Sequence, residues 1–398
     1  MKYRVWGVTA IVLGISAVLL LWHLLTPNPD HRTPLLTPDG VSHAALLESA
    51  PVPNPFGTGA VLPRELTDET FRKMIDEFSE PSGSFMYENY LSNERSYQDP
   101  IPSLLNVAKP GRVYLGVGPE QNFTYIAALR PAMAFIIDIR RQNMLELLMY
   151  KALFAMAATR AEFVSMLFSR KPSRTQANPA NVYQLFSAYN DAAPDHEFFE
   201  INLKRIKAQL HLNSNDEKVV EQVYRVFFAI GPDLSYSSTD SYAPAGPSYA
   251  DLMALTDANG RNWSYLASEE SFRAVKEMQR KNLIVPLVGD FAGPKAIRSV
   301  ARYIKDHQAT VTAFYLSNVE MYILPSPQWK EFCANVASLP VDESSMFIRF
   351  LIGRYAYALS ANAFGPRNVS VISPMIDVLT GVTKGYPPSY YNLIHASK

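Results

Sequence analysis

One cysteine, Cys333, stands in 398 residues, so an intramolecular disulfide and a cysteine-rich metal site are both excluded. Neither sign of charge is in excess: lysine plus arginine and aspartate plus glutamate number 37 each. No bulk field therefore draws the chain to nucleic acid or to an acidic membrane surface. No Gly-x-Ser-x-Gly elbow occurs and the seven histidines lack metal-ligand spacing, so a hydrolase and a histidine-held metal centre are both unsupported. Asp195-His196-Glu197 has ligand-type residues but reads as a solvated loop. What the chain has in quantity is apolar surface, 48% hydrophobic and 12% aromatic, ample for a large core.

Trp6 to Leu25 is a run of 20 residues without formal charge, the length that crosses roughly 30 Å of hydrocarbon as a helix. Its apolar run exceeds that of a cleaved signal, and Leu25-Thr26-Pro27-Asn28-Pro29 offers no small-x-small cleavage site. The expectation is an uncleaved anchor over 6–25, a cytoplasmic stub over 1–5 carrying Lys2 and Arg4, and a periplasmic main domain. Residues 26–64 hold eight prolines and read as an extended tether. The domain proper is expected over 65–398, with an insertion or lid over 171–266.

The organising stretch is Val113 to Asp138. Val113-Tyr114-Leu115 is a strand-like run that stops at Gly116-Val117-Gly118, where the absence of side chains lets the backbone turn sharply. Asn122 to Leu129 reads as a helix, ended by Arg130-Pro131. Ala134 to Ile137 is an apolar run of the kind buried on both faces of a parallel sheet, and it ends on Asp138. Gly116 and Asp138 lie 22 positions apart, close to the roughly 20-residue spacing at which such an acid meets ribose hydroxyls. A dinucleotide fingerprint wants glycine or alanine where Gln121 stands, so a dinucleotide is the weaker reading. Arg140 and Arg141 keep an NADP-like phosphate open, against the alternative of ion pairs at a helix start.

Helices are expected over Thr67–Phe78, Asn143–Phe168 and Asp216–Ala229. Strands and helices then alternate through Ser268–Arg280, Ile284–Val288, Pro294–Asp306, Val311–Leu316, Trp329–Ala337 and Met346–Ile352, with Val369–Ile376 completing the sheet. Ser92-Asn93-Glu94 and Pro100 form the approach to the first strand, read either as a cover over a ligand or as a solvated loop. Ligands of open α/β sheets bind outside the carboxyl ends of the strands, where Gly116, Asp138, Asp290 and Asn318 converge.

The phrases Leu-Gly116-Val-Gly118-Pro-Glu120-Gln-Asn122, Val-Gly289-Asp290-Phe-Ala-Gly-Pro and Tyr-Leu-Ser-Asn318-Val-Glu320 resemble an uncharacterised bacterial family with a class I S-adenosylmethionine-dependent methyltransferase-like fold. The resemblance covers roughly Glu65 to Tyr386. It implies a Rossmann-like doubly wound sheet and S-adenosylmethionine as cofactor. It implies that Gly116 and Gly118 give backbone approach to the methionyl part, with Glu120 and Asn122 beside them. Asp138 would accept from the ribose, Asp290 would pair with the adenine amino group, and Asn318 and Glu320 would face the methyl group, with Glu320 as a base. This sequence has Tyr114 where such enzymes usually carry an acid, and Glu120 where they carry a third glycine. The competing expectation is a non-catalytic envelope protein that uses Gly231 to Trp263 to hold a partner. The membrane is the other expected partner, through 6–25. S-adenosylmethionine is a cytoplasmic metabolite, which sets the cofactor against the expected periplasmic location.

Overall fold

The computed structural model describes residues 61–172, 179–189, 191–236, 246–324, 326–353, 355–356, 368–385 and 389–395. The expected anchor over 6–25 and nearly all of the tether lie outside the described residues, as do 173–178, 190 and 237–245 of the expected lid. Among the described residues no helix is long and apolar enough to cross a membrane.

The fold is mixed α/β around one six-stranded sheet. Its strands are β1 (Val113–Gly116), β2 (Met133–Asp138), β3 (Ile284–Val288), β4 (Val311–Ser317), β5 (Met346–Ile352) and β6 (Asn368–Pro374), in the spatial order β3-β2-β1-β4-β5-β6. The first five are parallel, and β6 returns antiparallel on β5 with Ile348 opposite Ile372. This is a Rossmann-like order, in which the chain reverses its direction of travel between β1 and β4. β1, β2 and β3 are buried along their whole length, which is why their sequences are continuous apolar runs and not alternating ones. Helices Gln121–Leu129, Arg141–Met156 and Glu269–Arg280 pack with one another, and Asp68–Phe78, Ala296–Asp306 and Gln328–Ala337 form a second group.

Three local expectations are corrected. The long helix read over Asn143–Phe168 is two, Arg141–Met156 and Arg160–Phe168. Thr159 breaks it, because its hydroxyl accepts from Glu162 N at 3.2 Å while Glu162 Oε2 accepts from Ala158 N at 2.7 Å, and together these start a new helix. The insertion is largely helical, with Val182–Ser187, His196–Leu210, Ser214–Ile230 and Tyr249–Ala254. Asp195-His196-Glu197 is accordingly a helix start: Asp195 Oδ1 accepts from Phe198 N at 3.0 Å, and Lys171 pairs with the same carboxylate at 2.7 Å. The third concerns the approach to β1, where of the two open readings the solvated loop falls away. Ser92, Glu94 and Gln98 are buried, and a helix, Ile101–Val107, follows them.

Candidate functional site

The carboxyl edge of the sheet is crossed by one strap, Ser79 to Gln98, in the order of the strands beneath it. At β3 the Ser79 hydroxyl accepts from Val288 N at 3.1 Å, and Glu80 N donates to Val288 O at 2.8 Å. At β2 Gly83 N donates to Ile139 O at 2.8 Å. Beyond β1 Ser92 N donates to Glu120 Oε1 at 3.4 Å. At β4 the Tyr315 hydroxyl donates to Glu94 Oε1 at 2.7 Å and the Ser317 hydroxyl donates to the same oxygen. At β6 the Ser96 and Ser370 hydroxyls lie 3.0 Å apart. A loop tied at five strands is a cover and not a solvated connection. Phe85, Tyr87, Tyr236 and Tyr322 add an aromatic chain on its outer side, with ring centroids 5.1–6.1 Å apart.

Beneath the strap each expected site residue already has a task. Gly116 makes room for Asn122, since a Cβ there would stand 1.9 Å from Asn122 Oδ1. The Asn122 amide donates to the carbonyls of Val117, Gly118 and Pro119 at 2.9, 3.1 and 2.8 Å, and its oxygen accepts from the Tyr114 hydroxyl at 2.8 Å. Tyr114, where an acid was noted as missing, is therefore the outer anchor of the glycine turn. Gly118 has φ +77°, a left-handed conformation that favours glycine.

Asp138 is buried and bidentate with Arg140: Oδ1 accepts from Nε at 3.0 Å and Oδ2 from Nη2 at 2.9 Å, and Oδ1 also accepts from Arg140 N at 2.9 Å. Arg140 in turn donates to the Glu88 carbonyl of the strap. Arg141 faces elsewhere, in a two-bond pair with Asp216. Asp290 closes its own turn, with Oδ1 accepting from Ala292 N at 2.9 Å. The cradle of backbone N–H groups after β3 is filled from within by Glu80, which accepts from Asp290 N, Lys295 N and Ala296 N at 3.0, 2.7 and 2.7 Å. Glu320 is buried against Arg349, with both oxygens held, and Asn318 Oδ1 lies 3.4 Å from Ser317 Oγ, whose proton goes to Glu94.

The sequence marked Glu94 only as part of the approach segment and did not mark Glu146. With Glu120 they place three buried carboxyls around the turn after β1. Burial raises Glu94 to about 7 and Glu120 to about 8, and it raises Glu146 well above the usual carboxylate range, where the neighbouring Glu120 adds to the effect. Oε2 of Glu94, Oε2 of Glu120 and both carboxyl oxygens of Glu146 have no hydrogen-bond partner among the described residues; Gln121 Oε1 and Asn143 Oδ1 share that state. Glu146 has a signal in hindsight, a lone acid within the apolar run Met144-Leu-Glu-Leu-Leu-Met149. Among the described residues no group of His, Cys, Asp and Glu is placed to hold a metal ion. Two open grooves, around Val61–Arg64 with His307 and around Arg130 with Arg273, lie at the opposite, amino end of the strands or beside it.

A family model described as a domain of unknown function (DUF7790) matches residues 89–230 and 235–373, from the strap through β6. No curated protein matches the chain.

Proposed function

The chain belongs to that family of unknown function, and we propose that its α/β domain is a small-molecule receptor of the class I methyltransferase type, taking a nucleoside-bearing ligand of the S-adenosylmethionine class. The observation that carries this reading is a coincidence of place. The strand order reverses between β1 and β4, and six of the unpartnered buried atoms, on Glu94, Glu120, Gln121, Asn143 and Glu146, lie at the turn after β1 and around Glu94 at the end of β4, while others such as those of Asn202, Asn282 and Thr312 lie elsewhere. Buried polar atoms without partners cost stability, and functional sites are where such costs are kept.

The fit to S-adenosylmethionine is good at one end only. Its ammonium group matches the acceptors near Glu120, whereas the ribose would meet an Asp138 already paired with Arg140. Methyl transfer needs mainly alignment of an activated sulfonium with its acceptor, so a free base is dispensable. Glu320 is not free to act as one while Arg349 holds it. That pairing favours a second reading, in which the domain keeps the fold, binds, and transfers nothing. An anchor over 6–25 and a periplasmic domain belong to the same proposal and also favour binding without transfer, since the cofactor is made in the cytoplasm.

The test is a calorimetric titration of the full chain with S-adenosylmethionine, S-adenosylhomocysteine and adenosine, together with melting curves. Saturable binding of any of the three supports the nucleoside reading. Neither heat nor a melting shift with all three rejects it. A reporter active only in the periplasm, fused after Lys398, settles the orientation separately.

A further inference from the structure

We propose that the acceptor set beneath the strap, formed by Glu94, Glu120, Gln121, Asn143 and Glu146, binds an organic cation rich in N–H donors, an alkylammonium or a guanidinium. The inference rests on the reading of this edge as a ligand site and narrows what the site takes.

On these five side chains every unpartnered atom is an acceptor, and the one unpartnered hydroxyl that interacts with Glu120 and Glu146, that of Tyr150, brings a single proton. One oxygen each on Glu94, Glu120, Gln121 and Asn143 and two on Glu146 make six buried acceptors. The amide orientations are fixed by their donor ends, because Asn143 Nδ2 donates to Gly118 O at 3.2 Å and Gln121 Nε2 lies 3.1 Å from the Tyr315 hydroxyl, which itself holds Glu94. Acceptors without donors call for a ligand that brings hydrogen, and an ammonium brings three N–H groups while a guanidinium brings up to five. Gln121 and Asn143 matter here as neutral side chains, buried to 3% and 1% exposure. Their orphaned oxygens cannot be satisfied by a proton of their own, whereas a carboxyl's can.

Charge gives the same answer. Arg140 is the cation that acts on Glu146, and its guanidinium is bidentate on Asp138. Three further carboxyls therefore share one environment without a counter-ion of their own. Buried charges in proteins are paired or they are protonated. An entering cation would replace one carboxyl proton for each positive charge it brings, the remaining carboxyls staying protonated. A metal ion is a poorer occupant, since among the described residues no group of ligating side chains is placed to hold one.

The experiment is a melting and calorimetric titration of the full chain with agmatine and with putrescine, against tetramethylammonium and sodium at equal ionic strength. Agmatine or putrescine should raise the melting temperature saturably, and tetramethylammonium, a cation without N–H groups, should not. Glu120→Gln and Glu146→Gln should each weaken the response about ten- to hundredfold without lowering the variant's own melting temperature. Should either fail to fold, Glu94→Gln carries the same expectation. Equal responses to tetramethylammonium, no response to either amine, or responses untouched by the substitutions overturn the inference. A chain that binds adenosine and ignores both amines overturns it while leaving the nucleoside reading intact. A chain that binds amines and ignores nucleosides supports it and rejects that reading.

Discussion

Glu320 and Arg349 meet in two hydrogen bonds, 2.6 Å from Nε to Oε2 and 3.0 Å from Nη2 to Oε1, with side chains 1% and 0% exposed. Arg349 sits in the middle of β5 and also donates to Ser373 of β6, so the pair ties the turn after β4 to β5 and to the edge strand β6. Breaking a buried pair strands one charge in a medium that solvates it poorly. Glu320→Ala should therefore lower stability by about 3–5 kcal/mol, and Glu320→Leu combined with Arg349→Met should recover most of that loss. Urea midpoints check both. A single substitution costing under about 1 kcal/mol would mean that the acid is not structurally bound and is available for chemistry.

Gly116 is a packing glycine as the turn now stands. In Gly116→Ala the new methyl overlaps Asn122 Oδ1 at 1.9 Å, so the amide must leave the three carbonyls it serves. A loss of about 2 kcal/mol or more is expected, together with faster hydrogen exchange over 117–123. Asn122→Ala should produce the same exchange pattern, and adding Gly116→Ala to it should cost little more. Full additivity of the two would show that Gly116 serves something other than Asn122.

How much of this was legible depends on what kind of residue carries it. β1 to β5 were readable because strands buried on both faces are continuous apolar runs, and the acid at Asp138 marked the end of β2. The partner of that acid was not readable: Arg140 serves a ligand phosphate, a helix start or a carboxylate two residues away with the same sequence, and only geometry chooses. Arg349 in Met346-Phe-Ile-Arg-Phe-Leu-Ile352 was a missed sign, since an arginine amid a buried strand demands an acid nearby. Glu94 was marked only as part of the approach segment that could cover a ligand, with no sign that its carboxyl enters the site. It reaches the site across 221 positions, through Tyr315, and no local period records that contact.

Stability should fall as the pH rises from about 4.5 to about 8. The sign follows from proton counting: burial lifts Glu94 from 4.5 to about 7 and Glu120 from 4.5 to about 8 and raises Glu146 well above its usual value, so across this window the folded chain holds protons that the unfolded chain has released. The benefit is complete at the acid end and is lost as the folded groups ionise. Asp99, raised by burial and by Asp257, adds to the same trend at its acid end. Asp342, held low by Arg112, matters only below the usual carboxylate range, and Lys151, lowered by burial to about 8, matters above it. Urea unfolding at pH 5 and pH 8 should differ by a few kcal/mol. The triple variant Glu94→Gln, Glu120→Gln, Glu146→Gln should flatten the profile, and an unchanged slope in that variant would assign the pH dependence to other residues.

The strap supplies the last prediction, because Glu80 holds the turn after β3 in the way a bound anion would. Its carboxylate takes three backbone N–H groups at the head of the helix Ala296–Asp306, and Gly293 leaves the space, since a Cβ there would lie 2.2 Å from Glu80 Oε2. Glu80→Ala removes acceptor and charge together, and the N–H groups of Asp290, Lys295 and Ala296 are left to water. A loss of about 1–3 kcal/mol is expected, with exchange accelerated over 289–296 and at Gly83, the next tie of the strap. Glu80→Gln keeps an acceptor and should lose less than half as much. The discriminating measurement is rescue by sulfate, which should raise the melting temperature of Glu80→Ala more than that of the parent at equal ionic strength. Equal effects on both would show that the cradle is a packed turn with no anion-binding character, and that Glu80 matters only as one more tether of the strap.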